Sequence, residues 1–261
     1  MNEIENILKR VRDTKALEFG VGAMKKIPAM FDSLFPGKTA VVVADKITYE
    51  IAGKIVYGYL NDAGINTDHP FVFTDPGLYA EWSYLEQLES YLKGRDVIAV
   101  AVGLGVINDL TKLASCHLGR RYIIVGTAAS MDGYTSYGAS VTYHGNKQTF
   151  DCPAPLGMVM DPAVAAKAPA GITASGYGDL IAKIPSGADW IIADAVGSES
   201  IDPFAFSLVQ KNLRDALSDS DAVAAGDVTA VGKLAYELIM SGFAMQSILS
   251  SRPASGAEHL F

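Results

Sequence analysis

Val97-Ile-Ala-Val-Ala-Val-Gly-Leu-Gly-Val-Ile-Asn-Asp109 is the stretch on which the fold turns. Its first six residues form an unbroken apolar run rich in valine and isoleucine, which reads as a strand buried on both faces. Gly103 and Gly105 interrupt the run, and a helix-length segment follows over residues 107–118. Strand, glycine turn and helix in succession are the repeating unit of a parallel α/β sheet. The same alternation recurs on either side. Residues 38–43 form a strand bounded by Pro36-Gly37. Ile47, Ile51, Ile55, Val56, Leu60 and Ala63 then keep a helical period that stops at Gly64. Residues 71–73 make a strand ended by Pro76-Gly77. Trp82, Leu85, Leu88 and Leu92 make a helix closed by Gly94, and residues 122–125 make a further strand.

Beyond that strand the texture changes. Ser140-Val-Thr-Tyr-His-Gly-Asn-Lys-Gln-Thr-Phe150 carries β-branched residues on both sides of Gly145-Asn146, a β-hairpin pattern. Residues 156–160 return to the sheet. From Pro162 onward strand signals fade. Phe204, Leu208, Leu213 and Leu217 form one helical stripe, and Leu234, Leu238, Ile239, Phe243 and Ile248 form another. Ser218-Asp-Ser-Asp221 reads as the solvated connector between them. The expected organisation is an α/β domain with a parallel sheet over residues 1–161, then an all-α domain over residues 162–261.

The whole chain has 261 residues, 49% of them hydrophobic and 19% charged, which describes a well-packed globular protein rather than a disordered one. Its longest apolar stretch, residues 97–107, is half of the roughly 20 residues that span a bilayer, so no transmembrane helix is expected. The opening Met-Asn-Glu-Ile-Glu lacks the basic-then-apolar pattern of a secretory signal. Two cysteines, Cys116 and Cys152, are too few for a disulfide scaffold and fit a reducing cytoplasm. A net charge of −8 without any lysine or arginine run argues against nucleic acid as a partner.

Four segments carry residues of chemical interest. Gly103-Leu-Gly-Val-Ile-Asn-Asp109 opens a helix, whose free N–H groups suit a pyrophosphate. It departs from the G-x-G-x-x-G pattern at Asn108, and an ordinary strand-to-helix turn explains it equally well. Asp45, at the end of a strand, stands where a carboxylate holds an adenine ribose or merely caps a helix. Gly126-Thr-Ala-Ala-Ser-Met-Asp-Gly-Tyr-Thr-Ser136 is a small-residue loop at the carboxyl edge of the sheet, where ligands of open α/β sheets bind. Alone it is also just a turn. In Ala174-Ser-Gly-Tyr-Gly-Asp-Leu-Ile-Ala-Lys183, Asp179 and Lys183 stand four apart on one helix face, which by itself describes a surface ion pair. Ser251-Arg-Pro-Ala-Ser-Gly-Ala-Glu-His259 ends on a histidine. His69, His117 and His144 show no ligand spacing.

Taken in order, G-x-G-x-I-N-D, T-A-A-S-M-D-G, G-Y-G-D-L-x-A-K and S-R-P-A-S-G-A-E-H resemble the glycerol-1-phosphate dehydrogenases, in their bacterial arabinose-operon form. These belong to the dehydroquinate synthase and iron-containing alcohol dehydrogenase superfamily. The resemblance runs from about Phe19 to Phe261. It implies a nucleotide-binding α/β domain, a helical domain, and a metal site in the cleft between them. Gly103, Gly105, Val106, Ile107, Asn108 and Asp109 would cradle the pyrophosphate of NAD or NADP. Thr127, Ala128, Ala129, Ser130 and Ser136 would contact the cofactor further along. Asp45 would hold the adenosine ribose, a contact that favours NAD over NADP. Asp132 matches a substrate-binding aspartate and, with Lys183, is carried over as a catalytic residue.

Asp179, which would also touch substrate, and His259 match two of the family's three metal ligands. A divalent Zn, Ni or Fe there would act as a Lewis acid on the carbonyl of dihydroxyacetone phosphate. Lys183 and Arg252 are the candidate cations for the phosphate. Two departures stand out. Leu104 replaces the usual Gly or Ser and should narrow the pyrophosphate turn. The chain also ends two residues after His259, before the helical stretch that bears the third histidine ligand in relatives. The second domain is therefore expected to be cut short, with apolar surface left uncovered. The activity implied is a metal-dependent, NAD(P)-linked glycerol-1-phosphate dehydrogenase in the cytoplasm, forming a homo-oligomer with no membrane or nucleic-acid partner. The alternatives are a lyase of the dehydroquinate synthase type and a shortened relative that binds a nucleotide without catalysis.

Overall fold

The computed structural model describes residues 3–260, with side chains as far as Glu258. Its strands are β1 (Ala16–Phe19), β2 (Thr39–Asp45), β3 (Phe71–Phe73), β4 (Val97–Gly103), β5 (Ile123–Gly126), β6 (Ala139–Tyr143), β7 (Asn146–Phe150) and β8 (Gly157–Met160). All but β6 and β7 join one parallel sheet in the order β1-β8-β5-β4-β2-β3. Every residue of β4 is buried, as are all four of β5 and of β8. Burial on both faces removes any pressure to alternate polar with apolar residues, which explains the continuous runs. Val42, Ala44, Val100, Val102, Ile123, Val125 and Val159 form one core with Ile27, Phe31, Val56 and Leu60 from the covering helices.

The residues fall into two compact units. The sheet unit comprises residues 13–127 and 138–164, and the helical unit residues 1–12, 128–137 and 165–261. A single cut near Asp161 therefore does not describe the division. The loop at 128–137 belongs with the helices because its hydrogen bonds go there. The main helices are α1 (Glu3–Arg10), α2 (Gly105–His117), α3 (Ala170–Ala195), α4 (Pro203–Gln210) and α5 (Val228–Ile248). In the helical unit the Thr135 hydroxyl donates to the Ile239 carbonyl at 2.8 Å, and Gln246 Nε2 donates to the Thr135 carbonyl at 2.9 Å. Two glycines let the loop come this close. A Cβ on Gly242 would overlap the Thr135 hydroxyl and stand 2.6 Å from the Asp132 carbonyl. One on Gly176 would overlap the Ala129 carbonyl oxygen. Trp190, Ala205, Val209 and Ala244 form a second core, joining α3, α4 and α5.

Some elements differ from the sequence reading. The hairpin turns at His144-Gly145, with φ of 51° and 78°, so Asn146 already belongs to β7. A two-residue turn of this kind needs positive φ at both central positions. The stripe from Phe204 to Leu217 breaks after α4 and resumes as the short helix Leu213–Ala216. Asp45 caps the short helix Lys46–Thr48, accepting the N–H groups of Ile47 and Thr48 at 2.8 Å each. Among the described residues, no helix is long and apolar enough to cross a membrane.

Candidate functional site

From β2 the chain crosses to β3 on one side, and from β4 it crosses to β5 on the other. The strand order therefore reverses between β2 and β4, and open α/β sheets bind ligands in the crevice beyond the carboxyl ends at such a point. A cavity of about 370 Å³ lies there. Asp45, Lys46 and Ile47 line it from the end of β2, Leu104, Val106 and Ile107 from the start of α2, and Phe73, Thr74, Asp75, Pro76 and Leu78 from the end of β3. Leu104 stands at the N-cap of α2 and offers no side-chain acceptor. The first N–H groups of this 13-residue helix are therefore left for a ligand or water, with the positive end of the helix dipole behind them.

The expected cofactor residues fall into separate groups. Asp45, Val106 and Ile107 line the cavity. Gly103 does not line it: a Cβ there would stand 2.8 Å from Cβ of Ile107, so helix packing is what requires the glycine. Gly105 opens the helix. Asn108 and Asp109 direct their side chains into the sheet unit. Asn108 Oδ1 accepts the Tyr122 hydroxyl at 2.9 Å, and Asp109 Oδ2 accepts the Ser140 N–H at 3.3 Å. Burial pushes the Asp109 carboxyl up to about 6 despite nearby Lys112. The buried Thr127 hydroxyl has no hydrogen-bond partner among the described residues, and its N–H donates to the Gly103 carbonyl at 3.2 Å. An orphaned hydroxyl beside that turn is a contact available to a ligand. The crevice, its uncapped helix and this hydroxyl fit a dinucleotide. The walls supplied by β3 were missed in the sequence; the Pro76-Gly77 turn after a strand was their available signal.

Ala128, Ala129, Ser130, Asp132 and Ser136 belong to the helical unit. Ala128 and Ala129 are fully buried, the Tyr134 hydroxyl donates to the Ala128 carbonyl at 2.9 Å, and the Ser136 hydroxyl donates to the Gly133 carbonyl at 3.1 Å. Ser130 Oγ lies 3.3 Å from the Tyr134 hydroxyl. The same unit brings Asp132, Asp179 and Lys183 together. Lys183 Nζ stands 2.6 Å from Asp132 Oδ2 and 2.5 Å from Asp179 Oδ1, and its side chain is 0% exposed. The Asp132 N–H donates to Asp179 Oδ2 at 2.9 Å. Burial works against the ammonium, but the two carboxylates outweigh it and raise the lysine above its usual value. The pair on α3 is thus part of a triad in which a buried lysine meets two half-buried carboxylates, not a surface ion pair.

Both candidate cations are paired within the chain. Lys183 is committed to two carboxylates and is not a free cation for a phosphate. Arg252 pairs with Glu199 at 2.8 Å. For the metal, Asp179 lies as described, while the side chain of His259 lies outside the described residues. Both Asp179 oxygens already accept hydrogen bonds, and among the described residues no three His, Cys, Asp or Glu side chains form a metal-holding group. These residues do not by themselves fit a divalent ion. His117 pairs with Glu89 at 2.6 Å.

Residues 18–169 match the family model described as iron-containing alcohol dehydrogenase. A protein of Halalkalibacterium halodurans named glycerol-1-phosphate dehydrogenase, NAD(P)+, is 36% identical over 221 residues, covering 84% of this chain and 55% of its own length. One of the same name from Methanosarcina mazei is 32% identical over 242 residues, covering 93% and 67%. The chain thus spans about half the length of several curated relatives it matches. Among solved structures, glycerol dehydrogenase from Schizosaccharomyces pombe superposes with a TM-score of 0.74 at 19% identity, over 91% of this chain and 61% of that one. A probable glycerol dehydrogenase from Sinorhizobium meliloti gives 0.73 at 22% identity, over 91% and 67%. At such identities the structures speak for the fold. With a family model matched over more than half of its length, the chain belongs to the iron-containing alcohol dehydrogenase family.

Proposed function

We propose that the chain serves an NAD(P)-linked glycerol-1-phosphate dehydrogenase, which interconverts sn-glycerol 1-phosphate and dihydroxyacetone phosphate. The observation that carries this reading is the cavity at the strand reversal, where an uncapped helix start, Asp45 and apolar walls come together. The names of the relatives supply the substrate. When bound, the nicotinamide supplies the hydride chemistry, and the protein's task is to place the reactants. The first turn of α2 offers backbone N–H groups to the pyrophosphate, Asp45 meets the ribose, and Phe73, Pro76 and Leu78 flank the base. Asp132 is the group proposed to bind the substrate hydroxyls. Zn, Ni or Fe belongs to this reading through the family. Cytoplasmic residence is proposed on the two free cysteines.

Two measurements test the proposal. NADH should bind the purified chain with a change in its fluorescence, and glycerol 1-phosphate should reduce NAD⁺ or NADP⁺ after incubation with Zn²⁺, Ni²⁺ or Fe²⁺. Absence of nucleotide binding overturns the proposal, whereas binding without turnover favours a nucleotide-binding relative that does not catalyse.

Asp45 has two jobs that one substitution separates. Asparagine also caps helices well, so Asp45→Asn should leave the melting temperature within about 2 °C of the wild type. Loss of the carboxylate removes repulsion against a ribose 2′-phosphate, and the affinity ratio of NADPH to NADH should rise about tenfold. An unchanged ratio would remove Asp45 from the ribose site.

A further inference from the structure

The cavity at the strand reversal holds a second carboxylate besides Asp45. Asp75 lines it from just beyond β3, where the chain turns at Pro76-Gly77. We propose that Asp75 selects the base of the bound nucleotide, accepting the 6-amino group of adenine and refusing a purine that carries a 6-oxo group. This rests on the nucleotide reading of the cavity and names the base which that site takes.

Sheet order puts Asp75 at the base. The helix start proposed for the pyrophosphate follows β4, Asp45 ends β2, and Asp75 follows β3. These strands are neighbours in the order β4-β2-β3, and two strand spacings amount to about 10 Å. Phosphate, ribose and base are joined in the same order, so a nucleotide laid across the strand ends from α2 carries its base to β3. Asp45 pairs with Phe73 in the sheet, which sets Asp75 two residues beyond the level of the ribose carboxylate.

Asp75 is also held in place. Its Oδ2 accepts the Tyr84 hydroxyl at 2.5 Å, and its Oδ1 accepts the Gly77 N–H at 2.8 Å. Tyr84 in turn packs edge-on against Phe73, with ring centroids 6.1 Å apart. The Tyr84 hydroxyl, and after it the Gly77 N–H, holds the Asp75 carboxyl below its ordinary value, so it is an anion at neutral pH. An ionised carboxylate only accepts hydrogen bonds, and each oxygen keeps a lone pair beyond the one already engaged. Adenine offers a donating amino group where a 6-oxo purine offers an accepting oxygen. The first completes a hydrogen bond with Asp75, and the second sets two acceptors against each other.

Fluorescence titration of the purified chain with NADH and with reduced nicotinamide hypoxanthine dinucleotide tests this. The wild type should bind NADH about tenfold more tightly than the hypoxanthine analogue. Asp75→Asn should bring the two affinities within about twofold, since a carboxamide turned either way offers a donor or an acceptor. Tyr84→Phe should lower the preference to about threefold, because the carboxylate loses one of its two fastenings. In both variants the affinity ratio of NADPH to NADH should stay at its wild-type value, unlike that of Asp45→Asn.

If Asp75 serves only the turn, through Gly77, Asp75→Asn weakens both dinucleotides alike and the preference persists, which overturns the proposal. Equal binding of the two by the wild type also overturns it and leaves the nucleotide reading standing. A raised NADPH to NADH ratio in Asp75→Asn puts the carboxylate at the ribose and overturns it as well. Binding of neither dinucleotide removes the nucleotide reading, and this inference with it.

Discussion

Gly176→Ala is expected to destabilise the helical unit by about 3 kcal/mol, the upper end of what forcing an extra methyl into a packed interior costs. The added methyl would coincide with the Ala129 carbonyl oxygen, approach its carbonyl carbon to 2.8 Å and stand 3.1 Å from Leu238 Cδ1. The tip of Leu238 can give way, but the Ala129 backbone cannot. Gly178, two residues along the same helix, has no atom within 4 Å of the place a Cβ would take. Gly178→Ala should be neutral or stabilising by up to about 1 kcal/mol, because alanine is the better helix former. Urea unfolding followed by the fluorescence of Trp190, in a Trp82→Phe background, reads both. Similar midpoints for the two variants would mean that the loop is not held tightly at Gly176.

Glu237→Gln should stabilise the protein by about 3 kcal/mol at pH 8 and by little at pH 4. Glu237 is 4% exposed on α5, and its Oε2 has no hydrogen-bond partner among the described residues. Burial is the main reason its carboxyl is pushed up to about 7; an Asn212 hydrogen bond and Lys211 oppose the rise, and the Glu3 and Asp215 carboxylates add to it. Below the ordinary glutamate value the group is protonated whether the chain is folded or not, and its burial carries no charge penalty. As pH rises from there to about 7, the unfolded chain ionises first and stability falls. Above that range the full penalty persists. Unfolding free energies measured from pH 4 to 8 should decline in the wild type across this window and decline less in Glu237→Gln. Parallel curves would place the proton elsewhere.

What could be read from the sequence follows burial. β2, β4 and β5 were legible because strands covered on both faces must be apolar throughout, and β4 is buried at every position. β1 was not, since Ala-Leu-Glu-Phe is half-buried at all four positions and gives neither an apolar run nor an alternation. The hairpin was legible but its turn was displaced by one residue. Nothing local announces that His144 takes positive φ, whereas Asn146 is a familiar turn former. At the site, the Asp179–Lys183 spacing put both residues on one helix face, but the direction of Lys183 depends on Asp132, which stands 47 positions before Asp179. The roles of Gly103, Gly176 and Gly242 were hidden for the same reason: each is fixed by the atom that meets it, and that atom comes from another turn or another element.

The loop at 128–137 has a further consequence, for the order in which the protein is made. Its fastening points on α3 and α5 lie 47, 104 and 111 residues downstream, at Asp179, Ile239 and Gln246. A ribosome adds about 5–20 residues per second, so the loop waits several seconds after emerging before its last anchor exists. The flanking strands β5 and β6 belong to a unit whose own residues are complete by Val164. During synthesis the sheet can therefore close with this loop still unanchored. Arrested nascent chains ending before Ile239 should show the loop open to protease, and protection should appear only once Gln246 has cleared the exit tunnel.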